Sequence, residues 1–330
     1  MSKALRFSQH GAPLEVLSLE EDAAGLRALA AHEVRVAVKL APVHPADINV
    51  LEGSYAALPQ LPATPGNEAV AQIIEVGHAA TQSGWRAGQL VHFRPGAGTW
   101  REHIVIDAAQ LTAVPDGISL EQAATLVINP ATAWRMLHDF ATLQPGDWVV
   151  QNAANSAVGL CVIEIAHALG FKTINVVRRE ELIPELKALG ADSVVLEDIK
   201  LRKEVKSITG GAPLRLALNA VGGDSGVNLA GALAHGGVMV TYGGMSRQPV
   251  RLPTGQLIFN DIAARGFWIT AWYKRASQAE TTAMTDSLAK LMREGKLQPK
   301  IDKTFALADY QQAIARAMEG GRSGKVFFRM

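Results

Sequence analysis

Asp147-Trp148-Val149-Val150-Gln151-Asn152-Ala153-Ala154-Asn155-Ser156-Ala157-Val158-Gly159 is the stretch on which the fold is decided. The apolar run Trp148-Val149-Val150 has the length of a buried strand, and a turn of small residues follows it. An amphipathic segment from Leu160 to Leu169 then stops at Gly170, and a second apolar run, Thr173 to Val177, ends at Arg178-Arg179. Strand, tight turn, helix and strand within about 30 residues form the βαβ unit that binds a dinucleotide at its turn.

A pyrophosphate reaches a helix N-terminus only if backbone approaches it closely, so the turn must be built from small side chains. This turn reads Ala154-x-Ser156-x-x-Gly159 where the common fingerprint has three glycines. On its own it is equally an ordinary small-residue turn that packs a helix on a sheet. The end of the second strand adds information. About 20 residues past such a turn an acidic residue suits the ribose 2′-OH of NAD, whereas a basic one suits a 2′-phosphate. Arg178 and Arg179 stand there, ahead of Glu180 and Glu181, and point to NADPH. Two adjacent arginines at a strand end could equally be a solvated pair.

The rest of the chain extends this pattern. With 330 residues, 48% of them hydrophobic and 19% charged, it is globular and long enough for two domains. A net charge of +1 gives no case for nucleic acid or an anionic membrane as partner. No apolar stretch approaches the length of a membrane span, and no signal-peptide pattern opens the chain. The single cysteine, Cys161, excludes an internal disulfide and a multi-cysteine zinc lobe; it lies on the apolar face of the helix after the turn and reads as core. These features predict a cytoplasmic protein.

Residues 1–120 alternate as short strands, such as Glu33 to Val38 and Ala69 to Val76, and predict a β barrel. Within them, Pro42 to Glu68 reads as a long irregular loop of the kind that carries function. Between Glu121 and Leu137 a helical pattern is split at Asn129-Pro130. Strands and helices then alternate: helices near Leu182 to Leu189, Ile199 to Thr209 and Ser225 to Leu233, strands at Ser193 to Leu196, Leu214 to Ala220 and Val238 to Tyr242. Residues 121–265 are therefore predicted to form a doubly wound parallel sheet of the Rossmann type, with ligands at the carboxyl ends of its strands. Residues 266–330 carry helices near Ser277 to Glu294 and Asp309 to Met318, then Lys325-Val326-Phe327-Phe328. A lone terminal strand needs a sheet to join, so this segment is expected to return to the first domain.

A β domain, a nucleotide-binding domain and a short return resemble the medium-chain dehydrogenase/reductase superfamily over essentially the whole chain. Pro45-Ala46-Asp47-Ile48-Asn49, Gly53-Ser54-Tyr55, Pro65-Gly66-Asn67-Glu68 and Asn175-Val176-Val177-Arg178 are similar to its zinc-independent branch. Asn129-Pro130-Ala131-Thr132-Ala133, Tyr242-Gly243-Gly244-Met245 and Arg265-Gly266-Phe267-Trp268 resemble one family within it. That family is the trans-2-enoyl-thioester reductases of mitochondrial fatty acid synthesis and their bacterial relatives. The chain shows no obvious mitochondrial leader, which suits a bacterial member. Where zinc-dependent relatives hold metal with two cysteines and a histidine, this chain has His44, Asn67 and an apolar residue near Ile128. One imidazole without thiolates makes no competent zinc site, and His44 reads as a hydrogen-bonded loop histidine.

The resemblance implies a GroES-like barrel beside the Rossmann domain, and reduction of a conjugated C=C bond by NADPH. Such a reduction needs no metal, since hydrogen-bond donors can hold the charge that builds on the carbonyl oxygen. By the same resemblance Tyr55 is the acid, although a loop tyrosine can also be a packing ring. Asn155, Ser156, Ala157 and Val158 would face the pyrophosphate, Arg178 and Arg179 the 2′-phosphate, and Tyr242, Gly243, Gly244 and Met245 the nicotinamide ribose. Asn129, Phe267, Trp268 and Lys325 match further cofactor positions. Leu58, Phe259 and Trp272, with Phe267 and Trp268, could line an acyl slot, or could be core. Arg94, Arg247, Arg251 and Lys274 are candidates for the phosphates of coenzyme A or acyl-carrier protein. The partners implied are an acyl thioester, acyl-carrier protein and a second copy in a homodimer. An NADPH:quinone or enone reductase, and a non-catalytic NADPH-binding protein, fit the same features.

Overall fold

A computed structural model describes residues 2–198 and 200–330. The chain divides into two units. The first takes in the chain up to Ile128, Thr270–Ala289 and Gln298–Met330; the second is Asn129–Ile269 with Lys290–Leu297.

In chain order the strands of the first unit begin with β1 (Lys3–Arg6), β2 (Ser18–Glu21), β3 (Glu33–Pro42) and β4 (Val70–Val76). They continue with β5 (Leu90–Phe93), β6 (His103–Asp107) and β7 (Leu111–Ala113). The second unit holds β8 (Trp148–Gln151), β9 (Lys172–Val177), β10 (Ser193–Leu196), β11 (Leu216–Asn219), β12 (Val238–Thr241) and β13 (Ala263–Gly266). β14 (Ile301–Ala306) and β15 (Lys325–Arg329) complete the first.

The first unit is organised by β3. Val34, Val36, Val38 and Leu40 are buried at alternate positions, as a strand with one face on a core requires. One edge of β3 pairs β4; the other pairs β6 along Glu33–Ala37 and then β15 along Leu40–Pro42. The terminal strand thus joins the N-terminal sheet, with β14 running parallel on its outer side. Trp100 and Phe328 meet edge to face at 5.1 Å within the core beneath.

One expectation fails here. The segment read as a long loop, Pro42 to Glu68, contains a helix, Pro45–Glu52. Pro45 at its start has its φ already set, the Asp47 carboxylate accepts the backbone N–H of His44 at 2.7 Å, and Gly53 ends it in the left-handed region at φ 77°. The flanking prolines obscured these signals.

In the second unit the strand order is β10-β9-β8-β11-β12-β13, and every pairing is parallel. All carboxyl ends therefore lie along one edge, and the order reverses between β8 and β11, where doubly wound sheets take their ligands. The expected helices occur as Ile183–Ala188, Leu201–Ile208 and Gly223–Ala232; Ile199, where the second was expected to begin, lies outside the described residues. The strand β13 and the helix Thr254–Asn260 were not anticipated. Among the described residues no helix is long and apolar enough to cross a membrane.

Candidate active site

The turn after β8 is built of small residues. Ala153 sits at φ 46°, a left-handed conformation that costs a residue with a Cβ about 1–2 kcal/mol. Ser156 donates its N–H to Ala153 O at 2.8 Å, and its hydroxyl accepts the N–H of Gly159 at 3.1 Å, capping the helix Ala157–Leu169. The N–H groups of Ala157 and Val158 lie in the first turn of that helix, where no intrahelical acceptor exists. Gly159 is required by contact: a Cβ there would sit 2.5 Å from Ala154 O. Small side chains and free N–H groups at a helix start fit the pyrophosphate of a dinucleotide.

The other expected cofactor residues follow the same sheet edge. Arg178 and Arg179 continue from β9 and are exposed, Arg179 lying 3.3 Å from Glu181. Tyr242 to Met245 continue from β12, with Met245 N–H bonded to Ala220 O at 3.0 Å. The Tyr242 hydroxyl is buried near Ser156, and burial raises its pKa against the pull of that serine. Phe267 and Trp268 continue from β13; Phe267 is buried and meets Phe140 edge to face at 5.8 Å. Asn129 is buried at the start of the helix Asn129–Asp139.

Sequence reasoning missed what stiffens this edge. Gln151 Nε2 donates to Gly159 O at 2.9 Å and to Asn175 Oδ1 at 2.8 Å. Asn152 Nδ2 donates to Asn219 Oδ1 and to Ser225 Oγ, both at 2.9 Å. Amides at the ends of otherwise apolar strand runs were the available signal.

The first unit contains a second polar assembly, also missed. Lys325 Nζ donates to His44 Nδ1 at 2.8 Å, and His44 Nε2 lies 2.8 Å from Glu68 Oε2. An ammonium has no lone pair, so Nδ1 accepts and Nε2–H donates to the Glu68 carboxylate. Glu68 Oε1 accepts the backbone N–H groups of Val127 and Ile128 at 2.7 and 2.8 Å. All three side chains are buried. Burial, with Lys325 adding to it, holds the imidazole well below its usual pKa, so it stays neutral. Burial pushes the Glu68 carboxyl upward against the pull of Lys325 and the two backbone donors. Asp47 is pushed up to about 6 by burial and accepts Asn67 Nδ2 at 2.6 Å.

Tyr55 follows the Gly53 cap of the helix Pro45–Glu52, partly buried against the core of the first unit. Leu58 is exposed and Trp272 is buried in that unit, while Phe259, in the second, is 78% exposed. Arg94 Nη1 donates to Tyr273 O at 3.3 Å. Arg251 pairs with Asp224, and Arg247 and Lys274 are exposed.

A parallel-sheet unit with a small-residue turn at a helix start, together with a β unit that carries a buried polar site, defines the medium-chain dehydrogenase/reductase class. Residues 30–116 match the alcohol dehydrogenase GroES-like domain, and residues 157–290 match the family described as zinc-binding dehydrogenase. The mitochondrial enoyl-(acyl-carrier-protein) reductase of Rattus norvegicus is 46% identical over 323 residues, covering 96% of this chain and 86% of that protein. The structure of the Etr1p/NADP/crotonyl-CoA complex matches with a TM-score of 0.88 at 32% identity, over 100% of this chain and 99% of that one. A putative NADPH:quinone reductase from Bacillus thuringiensis matches with a TM-score of 0.91 at 29% identity and the same coverage. The chain belongs to the enoyl-(acyl-carrier-protein) reductase family.

This likeness overturns the expectation of a cytoplasmic protein, because the rat relative is a mitochondrial enzyme. Zinc does not fit the residues present. Both nitrogens of His44 are engaged, one by an ammonium that would repel a second cation. Among the described residues no group of three or more His, Cys, Asp or Glu side chains is placed to hold a metal ion.

Proposed function

We propose that this chain reduces the C2=C3 bond of a trans-2-enoyl thioester with NADPH. The reading is carried by likeness over the full chain to a structure determined with NADP and crotonyl-CoA. When bound, NADPH supplies a hydride to C3 of the substrate. The Tyr55 hydroxyl gives its proton to C2 of the resulting enolate, and the phenolate regains a proton from water. A phenol suits this role because it stays protonated near neutral pH yet can donate.

The N–H groups of Ala157 and Val158 hold the pyrophosphate, with Asn155 and Ser156 beside them, and Arg178 and Arg179 face the 2′-phosphate. Tyr242, Gly243, Gly244 and Met245 border the nicotinamide ribose. Asn129, Phe267, Trp268 and Lys325 are assigned to the cofactor on family positions alone. Leu58, Phe259 and Trp272 are assigned to the acyl chain. The thioester is carried by coenzyme A or by acyl-carrier protein, and the product is a saturated acyl chain of fatty acid metabolism. A homodimer through the sheet edges is supported by β13, which is largely exposed and pairs with β12 on one side.

The likeness to a putative quinone reductase favours a second reading, the same hydride delivered to a quinone. NADPH oxidation with crotonyl-CoA, beside a small quinone, separates the two. Thioester turnover is expected to exceed quinone turnover and to fall at least tenfold in Tyr55→Phe, while NADPH affinity holds. Quinone turnover alone would move the protein to the second reading, and tight NADPH binding without any turnover would make it a binding protein.

A further inference from the structure

In the buried Lys325–His44–Glu68 array, His44 and Glu68 take no part in the proposed reduction, yet His44 lies one helix away from Tyr55. His44 is the residue at which the helix Pro45–Glu52 begins, and Tyr55 follows the glycine that ends it. The start of that helix is pinned twice to the segment Asn67-Glu68: by the His44 ring on Glu68 at 2.8 Å, and by Asp47 on Asn67 at 2.6 Å. The Asp47 carboxylate also accepts the N–H of His44 at 2.7 Å, so ring, backbone and helix start form one rigid piece. The far end is tied as well: Gly11 N–H bonds to Leu51 O at 3.0 Å, and His10 Nδ1 lies 3.0 Å from Val50 O. An eight-residue helix fixed at both ends transmits the placement of its first turn to the residue that follows its last.

We propose that His44 is a positioning residue for Tyr55: held as a neutral bridge between Lys325 and Glu68, it fixes the helix that presents the phenol. The role rests on the reading of Tyr55 as the acid. It requires one acceptor and one donor at the ring positions, and no proton transfer through the ring. A glutamine side chain offers the same pair, with its carbonyl toward Lys325 and its N–H₂ toward Glu68, but cannot relay a proton. The two roles therefore part on a single substitution. A displaced phenol loses proton transfer, whereas thioester binding and the cofactor contacts of the second unit stay as they are, and Lys325 keeps Val43 O as an acceptor at 3.5 Å.

The test measures kcat, KM for crotonyl-CoA and NADPH affinity by fluorescence in His44→Leu, His44→Gln, Tyr55→Phe and the double variant His44→Leu/Tyr55→Phe. His44→Leu is expected to lower kcat roughly tenfold or more while KM and NADPH affinity move less than about threefold. His44→Gln should recover most of that loss, and the double variant should be no slower than Tyr55→Phe alone, since both changes remove one step. If His44→Gln is as slow as His44→Leu, or if the losses multiply in the double variant, the positioning role is overturned. Tyr55→Phe at full turnover would sink the acid assignment itself. An impaired Tyr55→Phe beside a normal His44→Leu would sink only the role of His44. Should His44→Leu not fold, Asn67→Ala cuts the outer tie to Asp47 and leaves the array whole. It is expected to lower kcat without adding to Tyr55→Phe, and full turnover in it would overturn the proposal.

Discussion

Asn152 Nδ2 donates to Asn219 Oδ1 at 2.9 Å, tying the carboxyl end of β8 to that of β11 where the strand order reverses. The bond is one of a set. Asn152 Oδ1 accepts the backbone N–H of Ala220 at 2.7 Å, and Asn219 Oδ1 accepts those of Val221 and Gly222 at 3.1 and 3.0 Å. Both amides are buried. The crevice of a doubly wound sheet is thus held at a fixed width by side chains beyond the last backbone pair.

Asn152→Leu should show what that set is worth. The substitution nearly conserves volume but strands the Ala220 N–H without its acceptor. An unpaired buried donor costs about 1–3 kcal/mol, and Asn219 and Ser225 lose a donor besides. The expected result is a loss of about 2 kcal/mol or more in urea unfolding, with weaker NADPH binding in the fraction that stays folded. Unchanged NADPH affinity would mean that the amides brace the sheet without shaping the cradle.

How far the sequence carried these conclusions depends on the range of the forces involved. The βαβ unit was legible because its apolar runs, small-residue turn and closing Gly170 act within a few residues of one another. So was the return of Lys325–Arg329 to the first sheet, since an apolar terminal strand must pair. The strand Ala263–Gly266 was not legible: it lacks β-branched residues and exists through its pairing with β12. Nor could the buried array be seen, because Lys325 and His44 lie 281 positions apart and His44 and Glu68 lie 24 apart. The helix Pro45–Glu52 is a different case. Its starting proline, acidic third residue and closing glycine were all present, and the proline-rich setting outweighed them.

Arg178 and Arg179 should not matter equally. Arg179 lies 3.3 Å from Glu181, so a carboxylate already competes for its guanidinium and offsets part of its charge. A charge-assisted bond to a 2′-phosphate contributes about 1.5–3 kcal/mol, or roughly 10–100-fold in affinity. Arg178→Ala is expected to lower kcat/KM for NADPH by that range and to leave NADH nearly unchanged. Arg179→Ala should do less. A parallel fall with both cofactors in Arg178→Ala would remove the arginine from 2′-phosphate recognition.

Gly159→Ala tests the cradle by contact alone. The added methyl would meet Ala154 O at 2.5 Å and Ala153 O at 2.8 Å, both backbone atoms with no rotamer to yield. The helix must back away from the turn, at a cost of about 1–3 kcal/mol for overpacking. NADPH affinity should fall more than tenfold, because the N–H groups of Ala157 and Val158 move with the helix. Calorimetric binding that matches the parent protein would show that the turn relaxes around the methyl.

His92 gives the protein an acid-sensitive core. It is buried on β5, neither ring nitrogen has a hydrogen-bond partner among the described residues, and burial lowers its pKa to about 3. The unfolded chain takes up a proton there below about 6.5 and the folded chain does not, so stability falls with pH between about 6.5 and 3. Each pH unit within that window costs about 1.4 kcal/mol. Asp47 and Glu68, raised by burial, act with the opposite sign, but their contribution is common to the parent and a His92 variant. His92→Leu is therefore expected to melt above the parent by a margin that widens as pH is lowered from 7 to 4.5. A margin that stays constant with pH would mean that the His92 ring takes up its proton in the folded state as readily as in the unfolded one.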